Sequence, residues 1–396
     1  MHTDTPNLNQ DCKVETVLIL QGGGSLGAYE CGVFKVLSEY GIKFDIVAGT
    51  SIGAVNAAII TSHKAGKDPV VELEDFWMEL SEKILPMIPP YSSIYFTDEM
   101  RAILATMYSA MYGNPKAFSR HTLTSPFNYY SFKLTYPLFD VSPLKHTLEK
   151  YVDFSTLSVK ANSNQERTIR PRLIVTSTDI QTSKPVIFDS KNERIDSTSV
   201  LASVGFPFYG ISWTEIDNRY LWDGALLSNT PLREVMDASP LIDKDVYLIN
   251  IFPHFQKKLP NDIFEAWHRA RDIIYNDKTD NNIKNSIINA EHLVLLKKMH
   301  DLLMKYDREL KSSNLKVSEN SNKLSLELMN LEDNYHKIIE KRGSIIKKIT
   351  RIDRPEEHPF LFEDADFSEL TIKKLIRQGE DDAKRAIKSG DLSSNN

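Results

Sequence analysis

Between Val17 and Ile60 the chain reads VLILQGGGSLGAYECGVFKVLSEYGIKFDIVAGTSIGAVNAAII, and no other stretch restricts the fold so narrowly. Val17–Leu20 is a short, continuous apolar run of the kind that forms a strand buried on both faces. Gly22-Gly23-Gly24 interrupts it. From Leu26 to Tyr40 the apolar residues fall at Leu26, Tyr29, Val33, Val36 and Leu37, which is helical spacing. Gly41 closes that helix as a C′ glycine does. Phe44–Ala48 predicts a second buried strand, Gly49-Thr50-Ser51-Ile52-Gly53 follows at once, and a second apolar helix starts at Ile52. Strand, loop, helix and strand in this order predict an α/β sheet.

Gly49-x-Ser51-x-Gly53 between a strand and a helix has the form of a nucleophile elbow. Such a turn must thrust one hydroxyl out of a strained backbone, and small residues at Gly49 and Gly53 let strand and helix approach closely enough to make it. Ser51 then stands at a helix N-terminus, whose partial positive charge favours formation of its alkoxide.

The glycine loop admits two uses. Gly22-x-Gly24-x-x-Gly27 fits a dinucleotide-binding fingerprint, which asks for an acidic residue at the end of the second strand to hold a ribose. Asp45 has about the right separation but stands at the start of its strand, and Gly49-Thr50-Ser51 occupies the required place. The other use is an oxyanion hole, with the N–H groups of Gly22, Gly23 and Gly24 exposed at a helix N-terminus beside Ser51. Both loops fall at the carboxyl ends of neighbouring strands, where α/β sheets build their sites.

A triple-glycine loop followed closely by Gly-Thr-Ser-Ile-Gly resembles the patatin-like phospholipase family, whose serine works with the aspartate of an Asp-Gly-Ala or Asp-Gly-Gly motif and without a catalytic histidine. This chain has that motif at Asp223-Gly224-Ala225, within YLWDGALLSNTPL. The resemblance implies a three-layer patatin-like sheet flanked by helices, Ser51 as nucleophile, Asp223 as general base and the amides of Gly22–Gly24 as the oxyanion hole. It implies hydrolysis of an acyl ester of a phospholipid or neutral lipid, with no cofactor. Many members carry Arg or Lys where this chain has Leu26; because backbone amides carry the stabilisation, the hole is expected to survive. The run MYGNPKAFSR and the C-terminal segments RPEEHPFLF and 367–387 resemble a bacterial branch of the same family.

The 396 residues suffice for two or three domains. An apolar content of 41% with 26% charged residues describes an ordinary globular chain. Forty-eight basic against 54 acidic residues leave a net charge of −6, and with no basic footprint a nucleic-acid partner is not expected. Two cysteines, Cys12 and Cys31, make no disulfide framework and suit a reducing compartment, and Cys31 reads as a buried small apolar residue. Residues 1–13 form a polar tail without the pattern of a signal peptide. No transmembrane run is present, so a cytoplasmic protein that touches membranes peripherally is expected.

Residues 14–253 make up the expected catalytic domain. Helices are predicted over Ala54–Ala65, Val71–Ile84 and Val141–Tyr151, the last entered through Ser142-Pro143. Residues 85–148 are rich in Met, Tyr, Phe and Pro, an insertion suited to a lid or an acyl groove. Strands are expected at Arg172–Thr176, Pro185–Phe188, Arg219–Trp222 and Val246–Phe252. Asp179 also ends a strand and rivals Asp223 as base. His254, just after the last of these strands, completes the order serine, acid, histidine of an ordinary triad and is the alternative mechanism.

Residues 254–396 read as a helical extension. Helices are expected over Ile263–Asp277 and Ile283–Leu310, and heptad-like positions Ile288, Leu295, Met299, Leu302 and Tyr306 face a second seam at Leu324, Leu328, Leu331, Tyr335 and Ile338. These form a predicted antiparallel hairpin over 283–340, joined through the polar run Lys311–Lys323. Ile345–Ile352 is a further candidate strand, overlapping the basic run Lys341–Arg351, which suits a weak attraction to anionic headgroups. No Cys or His cluster has metal-ligand spacing, and no metal site is expected. The partners implied are a lipid substrate and a transient membrane-surface contact; the oligomeric state is not legible.

Overall fold

The computed structural model describes residues 14–81, 108–109, 113–120, 137–157, 170–312, 319–340, 344–355 and 363–393. The polar tail with Cys12, most of the aromatic insertion over 85–148, part of the Lys311–Lys323 connection and most of RPEEHPFLF lie outside the described residues.

The apolar run predicted as the first strand forms β1 (Glu15–Leu20), and a short 3₁₀ turn at Gly24–Leu26 leads into α1 (Gly27–Glu39). Gly41 takes the positive φ of 72° that stops the helix. There follow β2 (Ile46–Thr50), α2 (Ile52–Ser62), α3 (Pro69–Ser81), the two-residue strands β3 (Ser119–Arg120) and β4 (Phe139–Asp140), and α4 (Ser142–Tyr151). The second half of the sheet comes from β5 (Arg172–Asp179), β6 (Pro185–Asp189), the short α5 (Ser197–Leu201), β7 (Thr214–Ile216), β8 (Arg219–Asp223), α6 (Leu232–Met236) and β9 (Lys244–Asn250). Then come α7 (Ile263–Ser312), α8 (Glu319–Glu340), β10 (Ile346–Asp353) and α9 (Glu369–Ser393).

An eight-stranded mixed sheet runs in the order β10-β9-β1-β2-β5-β8-β7, with β6 also paired to β5. From β10 to β5 the neighbours are parallel; β6 and β8 join β5 antiparallel. The apolar runs are continuous because both faces are covered. In β1, Leu18 and Leu20 point to a core shared with α1, α2 and α3, whereas Val17 and Ile19 point to a second core shared with Leu232, Val235 and Met236 of α6 and Ile283 of α7. The architecture is therefore helix layer, sheet, helix layer, continued by a mostly helical C-terminal region. Cys31 is buried in the first core, as its apolar neighbours predict.

The C-terminal region is woven into these layers. β10 adds to the sheet in parallel beside β9, and α9 lies along α1, where the Tyr29 hydroxyl donates to Asp382 at 3.0 Å and Lys35 pairs with Glu380 at 3.0 Å. The two helices predicted over 263–277 and 283–310 are one continuous helix, α7. The polar run Lys278–Asn282 has no Gly or Pro to stop it, and Thr279 bonds back to the Tyr275 carbonyl at 3.0 Å. Of the expected heptad positions, Leu295, Met299, Leu302 and Tyr306 are more than half exposed, so that stripe is not what joins α7 to α8. On α8 the expected seam residue Tyr335 does meet α7, but its partner is His300, whose ring stacks on it at 3.9 Å, rather than the expected stripe.

Candidate active site

Ser51 stands where β2 meets α2, with φ 57° and ψ −127°. A non-glycine residue there is strained by about 1–3 kcal/mol and persists only because its surroundings over-determine it. Strand and helix touch across the turn: a Cβ added to Gly49 would lie 2.2 Å from the Gly53 carbonyl oxygen. The Ser51 N–H donates to Ser203 Oγ at 2.8 Å, and Ser203 donates onward to the Thr176 carbonyl at 2.6 Å. Thr50 Oγ1 bonds Thr176 Oγ1 at 2.7 Å and donates to the Ser228 carbonyl at 2.9 Å. The elbow is thus braced from three other segments. Ser203 lies in Ser199–Pro207, a run whose sequence resembles the family's Ala-Ser helix packed under the site, whereas no site role was expected for Asn229.

Asp223 ends β8, directly opposite Ser177 of β5, and is almost wholly buried. Its carboxylate accepts a hydrogen bond from Ser51, and Oδ1 accepts one from the Ala225 N–H at 2.8 Å. Burial pushes its pKa up from 3.8 to about 7, and these two hydrogen bonds pull the other way without offsetting it. Gly224 makes the turn possible, since a Cβ there would meet the Thr176 carbonyl oxygen at 2.5 Å.

The glycine loop lies against the serine. A Cβ on Gly22 would be 2.7 Å from Ser51 Cβ, and one on Gly27 would be 2.9 Å from the Ile52 side chain. The Gly22 N–H is directed at the Asn229 carbonyl at 3.4 Å, while Asn229 Nδ2 donates to the Gly22 carbonyl at 3.1 Å. Among the described residues the N–H groups of Gly23 and Gly24 have no such partner. Gln21 braces the loop: its Oε1 accepts from the Ile251 N–H at 2.9 Å and its Nε2 donates to Thr230 at 3.0 Å. Below it Glu30, fully buried on α1, accepts from the Gln21 N–H at 2.7 Å and from Asn56 at 2.8 Å. Burial raises the Glu30 pKa to about 8. Leu26, at the position where the resemblance leads one to expect a basic side chain, is buried.

The rival residues are placed elsewhere. Asp179 Oδ1 accepts from the N–H groups of Gln181 and Thr182, both at 2.9 Å, and so caps a turn. His254 sits beside Arg351, Asn250 and Asp280, with Nε2 2.6 Å from the Arg351 guanidinium, and the hydrogen bond of Ser51 goes to Asp223. These partners give His254 no hydrogen bond to Ser51 or Asp223. Asp45 accepts from the Thr16 N–H at 2.9 Å, near the start of β1 and away from the carboxyl ends, so it is not placed to hold a ribose at the loop.

A cavity of about 510 Å³ opens over Ser51, Asp223 and Gly22–Gly24. Its wall is mainly apolar and includes Leu80, Leu138, Leu144, Val204 and Phe252. Its far side comes from the C-terminal region. There Asp364 accepts from the Tyr209 hydroxyl at 2.5 Å and pairs with Arg271 at 2.6 Å, and Arg271 lies 4.5 Å over the Phe252 ring. None of these residues belongs to a recognisable motif. The rim includes Phe208, 69% exposed, with Trp267 beside it at 6.5 Å between ring centroids.

An elbow serine bonded to a buried aspartate, with a glycine loop at the carboxyl ends of the parallel strands β1 and β2, has the layout of a serine-hydrolase site. The chain belongs to the patatin-like phospholipase family, whose model matches residues 18–236. It is similar to lysophospholipase nte1 of Aspergillus terreus, with 50% identity over 48 residues, 12% of this chain and 3% of that protein. It is also similar to the triacylglycerol lipase SDP1L of Arabidopsis thaliana, with 32% identity over 96 residues, 24% of this chain and 10% of that protein. The matched stretches thus span a tenth or less of these relatives' length. Among solved structures, VipD from Legionella pneumophila aligns with 95% of this chain and 67% of its own, at 12% identity and a TM-score of 0.36. Among the described residues no helix is long and apolar enough to cross a membrane.

Proposed function

We propose that this protein is a serine lipid acyl hydrolase of the phospholipase A, lysophospholipase or carboxylesterase type, working through a Ser51–Asp223 dyad. The observation that carries this reading is the hydrogen bond between an elbow serine and a buried carboxylate at the floor of a mainly apolar cavity. Asp223 takes the Ser51 proton as Oγ attacks the acyl carbonyl, and the carbonyl oxygen becomes an oxyanion. The N–H groups of Gly23 and Gly24 receive it; that of Gly22, already directed at Asn229, contributes less. The protonated Asp223 then gives its proton to the departing alcohol. Water, deprotonated by Asp223, releases the fatty acid and restores Ser51. The apolar wall suits an acyl chain, and the Phe208–Trp267 rim suits a transient contact with the membrane surface that supplies the lipid.

The test is fluorophosphonate labelling together with fatty-acid release from mixed phospholipid vesicles. Wild type is expected to label at Ser51 and to release fatty acid; Ser51→Ala is expected to do neither. A labelled Ser51→Ala protein, or one that keeps its hydrolytic rate, would end the proposal.

The raised pKa of Asp223 sets the pH dependence. The base must be ionised to act, so activity is expected to rise through about pH 7 and to fall about tenfold per unit below it. With no imidazole in the dyad, histidine alkylation should leave the profile in place. A rate that stays flat between pH 5 and 8 would exclude Asp223 as the base.

A further inference from the structure

We infer that the helical hairpin carries a transition-metal site, best suited to Zn²⁺, formed by His300 of α7 with Glu332 and His336 of α8. One ligand atom from each residue lies within 4.8 Å of the other two. Glu332 and His336 are four residues apart on one helix, so one face of α8 presents a carboxylate and an imidazole together. The third ligand comes from the facing helix. Sequence spacing could not reveal it, because His300 and Glu332 stand 32 positions apart on different helices.

A second observation points to a ligand. Both ring nitrogens of His300 are sealed from solvent, and neither has a hydrogen-bond partner. Buried polar atoms in native proteins are almost always satisfied, and an orphaned imidazole calls for an explanation such as a water or an ion. The ring is held flat against Tyr335, 3.9 Å between centroids and 6° between planes, which fixes its direction. His336 lies 6.1 Å away, turned by 71°. The Asp301 carboxylate lies 3.6 Å from His300 Nδ1, close enough to act as the outer partner that ligating histidines usually have.

The donor set decides the ion. Two imidazoles and a carboxylate suit Zn²⁺, whereas Ca²⁺ and Mg²⁺ prefer sites made of oxygen alone. Zn²⁺ bonds of about 2.0–2.2 Å place tetrahedral ligand atoms about 3.4 Å apart, so atoms now within 4.8 Å must close by at most about 1.5 Å, a movement that Glu332 and His336 can supply. His336 is exposed, which leaves a path for the ion and a fourth position for water. A metal here cross-links two helices whose apolar residues are largely exposed, Leu295, Met299 and Leu302 on α7 and Leu326, Met329 and Leu331 on α8, and so staples a hairpin with little apolar packing of its own.

The experiment uses the full chain, stripped with a chelator and titrated with Zn²⁺ by calorimetry, with Co²⁺ absorption in the visible as a second readout. One ion per chain is expected, with a cobalt spectrum of low coordination number. His300→Ala and His336→Ala should each weaken binding by more than the roughly 10–100-fold that loss of an outer-shell partner costs. His300→Gln serves where the alanine variant does not fold, as judged by helicity in circular dichroism. Fluorophosphonate labelling of Ser51 should be unchanged in all three, which separates this site from the proposed hydrolytic one. No stoichiometric Zn²⁺ binding by wild type, or equal affinity in folded His300 and His336 variants, would overturn the inference.

Discussion

Asp223→Asn is expected to lower fatty-acid release by about 10²–10⁴-fold, the range supplied by a positioned general base, and to make the folded protein more stable at pH 8. The two effects share one cause. An amide cannot take the Ser51 proton, yet its oxygen can still accept from the Ala225 N–H, so the turn is expected to keep its shape. The native carboxyl has its pKa raised from 3.8 to about 7 by burial, which means that the fold prefers the neutral form. Stability from this preference is complete below the unfolded value and is lost as pH rises through about 7. Above that, the ionised carboxylate costs at most about 4 kcal/mol, from about 3.2 pKa units at 1.36 kcal/mol each. Asparagine has no charge to bury, so its advantage should be largest at pH 8 and shrink towards pH 4. Urea denaturation at several pH values, beside vesicle hydrolysis, checks both halves. An inactive variant with no gain at pH 8 would mean that the carboxylate is compensated by groups other than Ser51 and Ala225.

Gly22→Ala should cost nearly as much activity by a different route. The new methyl group would lie 2.6 Å from Asn229 Oδ1, 2.7 Å from Ser51 Cβ and 3.1 Å from the Thr50 carbonyl oxygen. The Ser51 backbone and the Asn229 clamp cannot yield to it independently, since they are tied through Thr50, Ser228 and Gly22 itself. The loop or the elbow must move. Misplacing a reacting group by about an ångström costs on the order of 10²-fold, and loss of an oxyanion donor costs about 10²–10³-fold. The expected result is a drop of at least about 10²-fold in hydrolysis, with a modest destabilisation of about 1–3 kcal/mol from overpacking. A rate within threefold of wild type would show that the loop does not form the oxyanion site.

Much of the α/β part was legible because its signals are local. The runs at Val17–Leu20 and Phe44–Ala48 are apolar without alternation, since each strand is covered on both faces, and β1 and β2 form there within two residues of expectation. The serine turn was readable for a steric reason: only small residues at Gly49 and Gly53 allow β2 and α2 to meet so closely. The C-terminal region was harder. Its apolar positions suggested a heptad seam, but the spacing that marks a seam also marks a stripe left exposed, and only the partner's position tells them apart. The break expected at 278–282 failed for a related reason. Polar residues weaken a helix only slightly, and packing of Tyr275 and Thr279 carries α7 straight through.

By itself the chain determined where its buried strands run, where its backbone must be glycine and which hydroxyl a strained turn would expose, because each follows from contacts between near neighbours. The Asp-Gly-Ala motif pointed to Asp223 by resemblance, but strand position did not separate it from Asp179, since both end strands; the tertiary structure makes Asp179 the cap of a turn and sets Asp223 against Ser51. It also decided that Arg271 and Asp364 wall the cavity and that His300 meets His336. The physical reason is the same throughout: steric and periodic constraints act over a few residues and leave a mark in the sequence. The pairing of buried polar groups joins segments tens to hundreds of residues apart, which no local pattern records.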